Sequence, residues 1–209
     1  MTTRTPGSQK DLTPAAALQL LEHGNKRFLA NSGVARDHRE QVASTADGQN
    51  PFAAILSCID SRASAELLFD QGIGDIFSVR IAGNVLNEDI LGSLEFACQL
   101  AGSKLIVVMG HSSCGAVKGA CAGAELGHLT GLLGKLKPAI DEVAAKGEAT
   151  GDEIVQRVAE VNVDHVVAQI RQRSEVLEAL IASGEVAIVG AMYSVQTGAV
   201  TFGTPTCAD

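Results

Sequence analysis

Lys104-Leu105-Ile106-Val107-Val108-Met109-Gly110-His111-Ser112-Ser113-Cys114 decides the architecture of this chain. Its apolar run is the clearest strand in the sequence, and Gly110-His111 stands directly at the strand's end. A second run, Pro51-Phe52-Ala53-Ala54-Ile55-Leu56-Ser57, is apolar without alternation, the pattern of a strand covered on both faces. Cys58 follows it at once, in Cys58-Ile59-Asp60-Ser61-Arg62. Two buried strands therefore each deliver metal-type ligands at their carboxyl ends. In open α/β sheets, ligand sites form beyond those ends, so Cys58, His111 and Cys114 are expected to converge.

Outward from these strands the chain alternates. A helix is predicted over 15–31, carrying Leu18, Leu21, Asn25, Phe28 and Leu29 at helical spacing and stopped by Asn31-Ser32-Gly33. Residues 37–50 read as loop or short helix, 63–70 as helix, and 75–81 as a second strand closed by Ala82-Gly83-Asn84. Helices are predicted over 88–101, 115–124, 127–147 and 152–182. A late buried strand covers 186–193, and Thr197-Gly198 turns the chain into a short closing strand over 199–202. The expected fold is α/β: a mostly parallel central sheet flanked by helices, with an N-terminal helical arm. Residues 1–14 read as a flexible leader and 15–209 as a single domain, a size that buries a sizeable core.

Composition excludes several classes of function. The 209 residues carry a net charge of −8 with no run of Lys or Arg, so there is no electrostatic footprint for nucleic acid. No apolar stretch approaches the ~18 residues of a membrane span, and the N-terminus lacks a signal-peptide pattern. A cytoplasmic protein is expected. Its five cysteines, Cys58, Cys98, Cys114, Cys121 and Cys207, suit reduced thiols better than a disulfide framework.

Cys58, His111 and Cys114 offer two thiolates and an imidazole, the donor set zinc favours. Three protein ligands leave a fourth tetrahedral position open, as in catalytic rather than structural sites. Taken singly, each residue reads as an ordinary core side chain. Together, with Asp60 and Arg62 beside the first cluster, they point to a metal. A closed structural site would need a fourth ligand, from Asp60 or another cysteine.

At these residues the chain resembles the β-class carbonic anhydrases, whose Cys-x-Asp-x-Arg and His-x-x-Cys motifs stand here as residues 58–62 and 111–114. Gly24-Asn25-Lys26-Arg27-Phe28, Phe69-Asp70-Gln71-Gly72-Ile73-Gly74-Asp75, Arg80-Ile81-Ala82-Gly83-Asn84 and Gly92-Ser93-Leu94-Glu95-Phe96 also look like family segments, so the likeness covers roughly residues 15–203. Ala65 departs from the proline many members carry. The resemblance implies reversible hydration of CO2 to bicarbonate and a proton, with one zinc ion per chain held by Cys58, His111 and Cys114 and a zinc-bound hydroxide as nucleophile. It casts Asp60 as acceptor of a hydrogen bond from the zinc water and Arg62 as the partner that turns Asp60 away from the metal. Asp60 would bind zinc only in a closed state.

The resemblance also places Gln49 on substrate oxygens and Phe77 and Phe96 on the walls of a narrow apolar pocket. Gly115 either exposes backbone N–H groups at a helix start or merely relieves crowding. Family members assemble as dimers or as tetramers built from dimers, through N-terminal helices that cross to a partner. Some members carry a bicarbonate pocket made by a tryptophan, an arginine and a tyrosine; the matching positions here read Ile55, Arg80 and Phe96, which predicts an open site without that regulation. Two rivals share the motifs: hydrolysis of CS2 or COS on the same fold, and a zinc or thiol redox sensor using Cys58 and Cys114.

Overall fold

The computed structural model describes residues 5–147 and 152–206. Cys207 and the first four residues of the expected leader lie outside them. Four strands run parallel: β1 (Ala53–Ser57), β2 (Ile76–Arg80), β3 (Leu105–His111) and β4 (Ala187–Tyr193). A fifth, β5 (Val200–Phe202), is antiparallel at one edge, and the order is β2-β1-β3-β4-β5. The chain leaves β1 for β2 on one side and later places β3 on the other. A crevice thus opens between the carboxyl ends of β1 and β3, at the topological switch point. The ladder fixes it, pairing Ala53 with Leu105 and Ser57 with Met109.

Every residue of β1 and β3 is buried, because both faces of the sheet are covered. On one face, Ala53, Ile55, Leu105, Val107 and Val189 pack against α2 (Pro14–Leu29) and α4 (Ala65–Leu68) through Ala17, Leu21, Ala65 and Leu68. On the other, Ala54, Leu56, Ile106, Val108 and Ile188 meet α5 (Glu88–Glu95), α9 (Asp152–Arg173) and α10 (Glu175–Ala182). A third cluster beyond the strand ends joins Cys58 and Cys114 to α6 (Gly115–Cys121), α7 (Gly127–Gly134) and α8 (Lys137–Lys146), through Val117, Leu133, Leu136, Ala139 and Val143. The metal-type ligands are thus set in a continuous core.

Helix α2 lies on its own domain. Thr13 caps it by accepting from Ala16 N, Pro14 occupies its first turn, and Leu21 is fully buried, worth ~2 kcal/mol of apolar transfer. Gly24 permits the close approach, since a Cβ there would lie 1.7 Å from the Phe69 carbonyl oxygen. Asn25 then bonds Leu68 O, Gly198 O and Val200 N, all at 3.0 Å, tying α2 to both ends of the fold.

Several boundaries differ from the sequence expectation. Within the polar leader, α1 (Pro6–Lys10) forms, and Gln9 reaches Pro51 O and Ala101 O at 2.7 and 2.6 Å. The stretch 37–50 contains α3 (His38–Thr45), capped by Asp37. The helix predicted over 88–101 finishes as a π turn, Phe96–Leu100. That over 127–147 breaks between α7 and α8, where Pro138 starts a new helix. The long helix over 152–182 breaks at Ser174, whose Oγ accepts from Leu177 N and donates to Glu95 at 2.6 Å. Among the described residues no helix is long and apolar enough to cross a membrane.

Candidate metal centre

Cys58 leaves β1, His111 ends β3, and Cys114 caps α6; their ligand atoms all lie within 4.8 Å of one another, and all three residues are buried. Local backbone explains the convergence. Ser112 N donates to Tyr193 O at 2.9 Å, holding the turn on β4, and Ser113 takes a left-handed φ of 55°, which swings Cys114 back beneath His111. The two sulfurs stand 4.0 Å apart. Two thiolates bound at ~2.3 Å to one tetrahedral ion sit about 3.8 Å apart, so the donor pair fits zinc.

The imidazole fits too. His111 Nδ1 faces the Ser112 carbonyl oxygen at 3.0 Å, and a carbonyl can only accept, so Nδ1 carries the proton. The lone pair of Nε2 is left facing the sulfurs. Nε2 is buried and has no hydrogen-bond partner, a costly arrangement unless a cation takes it up.

Electrostatics inside the cluster favour a thiolate at Cys58. Its pKa is lowered by the hydrogen bond from Cys114, against the opposing effect of burial, and further by His111 and the backbone N–H groups of Gly83 and Asp60. Cys114 is pushed up by the same Cys58 contact and by burial, while the N–H groups of Val117 and Ala116 at the start of α6 oppose this. For His111, burial favours the neutral ring, but the nearby Cys58 sulfur outweighs it and raises the pKa.

Asp60 lies at the rim, its Oδ2 4.0 Å from His111 Nε2. Arg62 grips it through Nε to Oδ1 at 2.9 Å and Nη2 to Oδ2 at 2.8 Å, and the Arg62 backbone N–H adds a third bond at 3.0 Å. The hydrogen bonds from the guanidinium hold the Asp60 carboxyl far below the usual carboxylate range. Gly115 is the exposed first residue of α6.

Phe77 and Phe96, expected on the pocket walls, and Gln49, expected on substrate oxygens, lie away from the ligand cluster within one chain. Phe77 pairs with Ala54 in the ladder, four residues before Cys58, or ~13 Å along the strand. Phe96 packs edge-to-face on Phe77 with ring centroids 6.1 Å apart and is 52% exposed. Gln49 is exposed beside Thr45, Ile73 and Gly74. The carboxyl ends of β1 and β3 hold the ligands, whereas Phe77 lies near the start of β2, Phe96 in the π turn packed on it, and Gln49 in the segment before β1.

Other residues serve the centre without an earlier signal. Gly83 donates its N–H to Cys58 Sγ at 3.3 Å from a left-handed turn, φ +68°, and Asn162 on α9 donates to Gly83 O at 3.0 Å. Arg80, matched to a bicarbonate-pocket arginine, instead clasps the ligand loop: Nε reaches Cys58 O at 3.0 Å and Nη2 reaches Asp60 O at 2.6 Å. Cys98 is buried in the apolar face against α5, and burial pushes its thiol up to about 12; Cys121 is half-buried on α6.

Comparison with known proteins agrees with this geometry. The family model described as carbonic anhydrase matches residues 53–200. Carbonic anhydrase 2 of Mycobacterium tuberculosis is 41% identical over 192 residues, covering 88% of this chain and 90% of that protein. The β-carbonic anhydrase CafA of Aspergillus fumigatus superimposes with a TM-score of 0.72 at 30% identity, over 90% of this chain and 89% of that one. One of two tetrameric β-carbonic anhydrases from Sordaria macrospora superimposes equally, at 0.72 and 25% identity, over 78% and 85%. Sheet order, ligand cluster and kinship over most of the sequence thus lead to one conclusion: this chain belongs to the carbonic anhydrase family, in its β class.

Proposed function

We propose that this protein catalyses the reversible hydration of CO2 to bicarbonate and a proton, using one zinc ion per chain held by Cys58, His111 and Cys114. The observation that carries the reading is the buried Cys-His-Cys cluster, with His111 Nε2 unpartnered inside it. When bound, zinc supplies Lewis acidity that brings the pKa of a water toward ~7, making hydroxide available near neutral pH. The protein does the rest.

Asp60 is kept ionised by Arg62, so it accepts a hydrogen bond from the attacking water and orients a lone pair toward the carbon of CO2. Asp60 cannot at the same time swing inward, because both its oxygens are engaged. Arg80 steadies the loop from Cys58 to Asp60 by its two carbonyl contacts. Two thiolates donate much charge, which makes these outer hydrogen bonds matter more than at an all-imidazole site.

The apolar wall comes from a second copy. Phe96 is exposed and packs on the half-buried Phe77, and Gln49 is exposed beside Ile73 and Gly74, which suits presentation to the site of a partner. A homodimer, or a tetramer built from dimers, follows. Free thiols at Cys58, Cys98, Cys114 and Cys121 suit the reducing cytoplasm.

Stopped-flow measurement of CO2 hydration by the zinc-loaded protein tests the function. Catalysis well above the buffer rate is expected, abolished in Cys58→Ala. A zinc-replete protein with no CO2 hydration overturns it.

A further inference from the structure

Helix α9 turns an almost wholly apolar face to the core: Val158, Ala159, Val161, Val163, Val166 and Ile170 are buried along it. Asn162 is buried in the middle of that series, with only 3% of its surface exposed. A primary amide there is retained only if it bonds something that needs it. Its Nδ2 donates to Gly83 O at 3.0 Å, across 79 residues of chain.

Gly83 is the residue whose N–H reaches Cys58 Sγ at 3.3 Å. Its carbonyl and its N–H belong to adjacent peptide units that pivot on one Cα, and glycine leaves that pivot free. The turn cannot be stiffened by a side chain. Its φ is +68°, and an added Cβ would press on Leu136 Cδ1 at 3.3 Å and Ala116 Cβ at 3.4 Å. Asn84, which follows, is also left-handed at φ 41°. The Gly83 carbonyl shares its peptide unit with the Asn84 N–H, which bonds Ile81 O at 2.9 Å within the turn, and Asn162 holds the same unit from outside.

We propose that Asn162 is a positioning residue of the metal centre: by holding the Gly83 carbonyl it keeps the Gly83 N–H on the Cys58 sulfur. An N–H directed at a ligating thiolate draws charge from it and fixes its orientation toward the ion. Asn162 thereby couples the long helix behind the sheet to the electron density of one ligand, without touching substrate. The inference rests on Cys58 being a metal ligand.

The test uses full-length protein loaded with cobalt(II) for optical spectra and with 113Cd for magnetic resonance. In Asn162→Leu the donor to the Gly83 oxygen is lost at nearly unchanged volume, and no ionisable group is introduced. The sulfur-to-cobalt charge-transfer band is expected to shift, and cobalt loss to a chelator to quicken by about tenfold. In unmodified protein the Gly83 amide proton is expected to show scalar coupling to 113Cd, and Asn162→Leu to lose it. Val166→Ala, one turn further along α9 in the other apolar cluster, controls for destabilisation and should lower the melting temperature while leaving band and coupling in place. Should Asn162→Leu fail to fold, Asn162→Ser, too short to span to Gly83, is read the same way. An unmoved band and an unchanged release rate in the Asn162 variant, or no Gly83 coupling in unmodified protein, overturn the proposal while the metal reading stands. Unmodified protein with no thiolate bands on adding cobalt overturns both.

Discussion

Arg62 meets Asp60 in a two-pronged hydrogen bond, with the carboxylate's Oδ2 held 4.0 Å from the unpartnered Nε2 of His111. The pair thus spans the distance between solvent and the metal cluster. Arg62 itself is half-exposed, so its effect on overall stability is small, and its consequence is the direction in which Asp60 points. In Arg62→Ala, Asp60 is released toward the ion. CO2 hydration should fall about tenfold or more at unchanged zinc content and melting temperature. Wild-type kcat/KM in this variant would remove Arg62 from the mechanism.

Metal content provides the second expectation. Freshly purified protein should contain about one zinc per chain, and Cys58→Ala and His111→Ala should each lose most of it, because two remaining ligands bind the ion far more weakly. Elemental analysis decides this. Full retention in both variants contradicts the ligand assignment.

Regulation by bicarbonate should be absent. Ile55 is a fully buried aliphatic side chain, Phe96 has no hydroxyl, and Arg80 already spends Nε and Nη2 on the carbonyls of Cys58 and Asp60. A bicarbonate placed among them would lack two donors, each costing ~1–3 kcal/mol. Inhibition by bicarbonate should be hyperbolic, and a sigmoidal curve would show this account of the pocket to be mistaken.

Acid stability should depend on Asp70. Burial pushes its carboxyl up, but hydrogen bonds from Arg36 and Arg27 and the Val34 N–H outweigh that and hold it below the ordinary range. A carboxylate whose folded pKa lies below its unfolded value stabilises the fold above pH ~4, and loses that contribution as pH falls through the folded value. Asp70→Asn should therefore cost about 3 kcal/mol at pH 7, by leaving two guanidinium groups without their counter-charge. The deficit should shrink below pH 4. Thermal melts of both proteins from pH 7 to pH 3 check the sign, and a deficit independent of pH would refute it.

Assembly is the fifth expectation. If Phe77, Phe96 and Gln49 serve a neighbouring chain's site, light scattering should find a dimer or a multiple of it at assay concentration. Phe96→Glu, which places a charge on the exposed member of the aromatic pair, should weaken assembly and activity together. An active monomer would rule the shared pocket out.

Much of this was legible from local signals. Unbroken apolar runs announced β1, β3 and β4, since a strand covered on both faces has no solvent side to mark in sequence. The ligands stood directly after two of those runs. The break at Ser174 was not legible: a serine inside an apolar helical series is ambiguous, and its partner Glu95 lies 79 residues away. The split before α8 did leave a signal in Gly134 and Pro138, overridden by the apolar spacing around it. Gly83 was visible as a turn and as part of a family segment, but not as a donor to Cys58. Its service to Cys58 depends on Asn162, and a lone asparagine among valines carries no mark of what it faces. Where Phe77 falls along β2 followed from register, which sequence alone does not set.

The ladder between β1 and β3 has one further consequence. Ala53 to Ser57 pair residue for residue with Leu105 to Met109, so backbone hydrogen bonds and core packing set Cys58 beside the strand that ends in His111. In small metal-folded modules the ion is the keystone, and the chain collapses when it is pulled. An ion held here would be a guest on a scaffold that the strands already set, so its removal should lower the melting temperature by the lost binding free energy and leave the sheet's far-ultraviolet circular dichroism in place at ambient temperature.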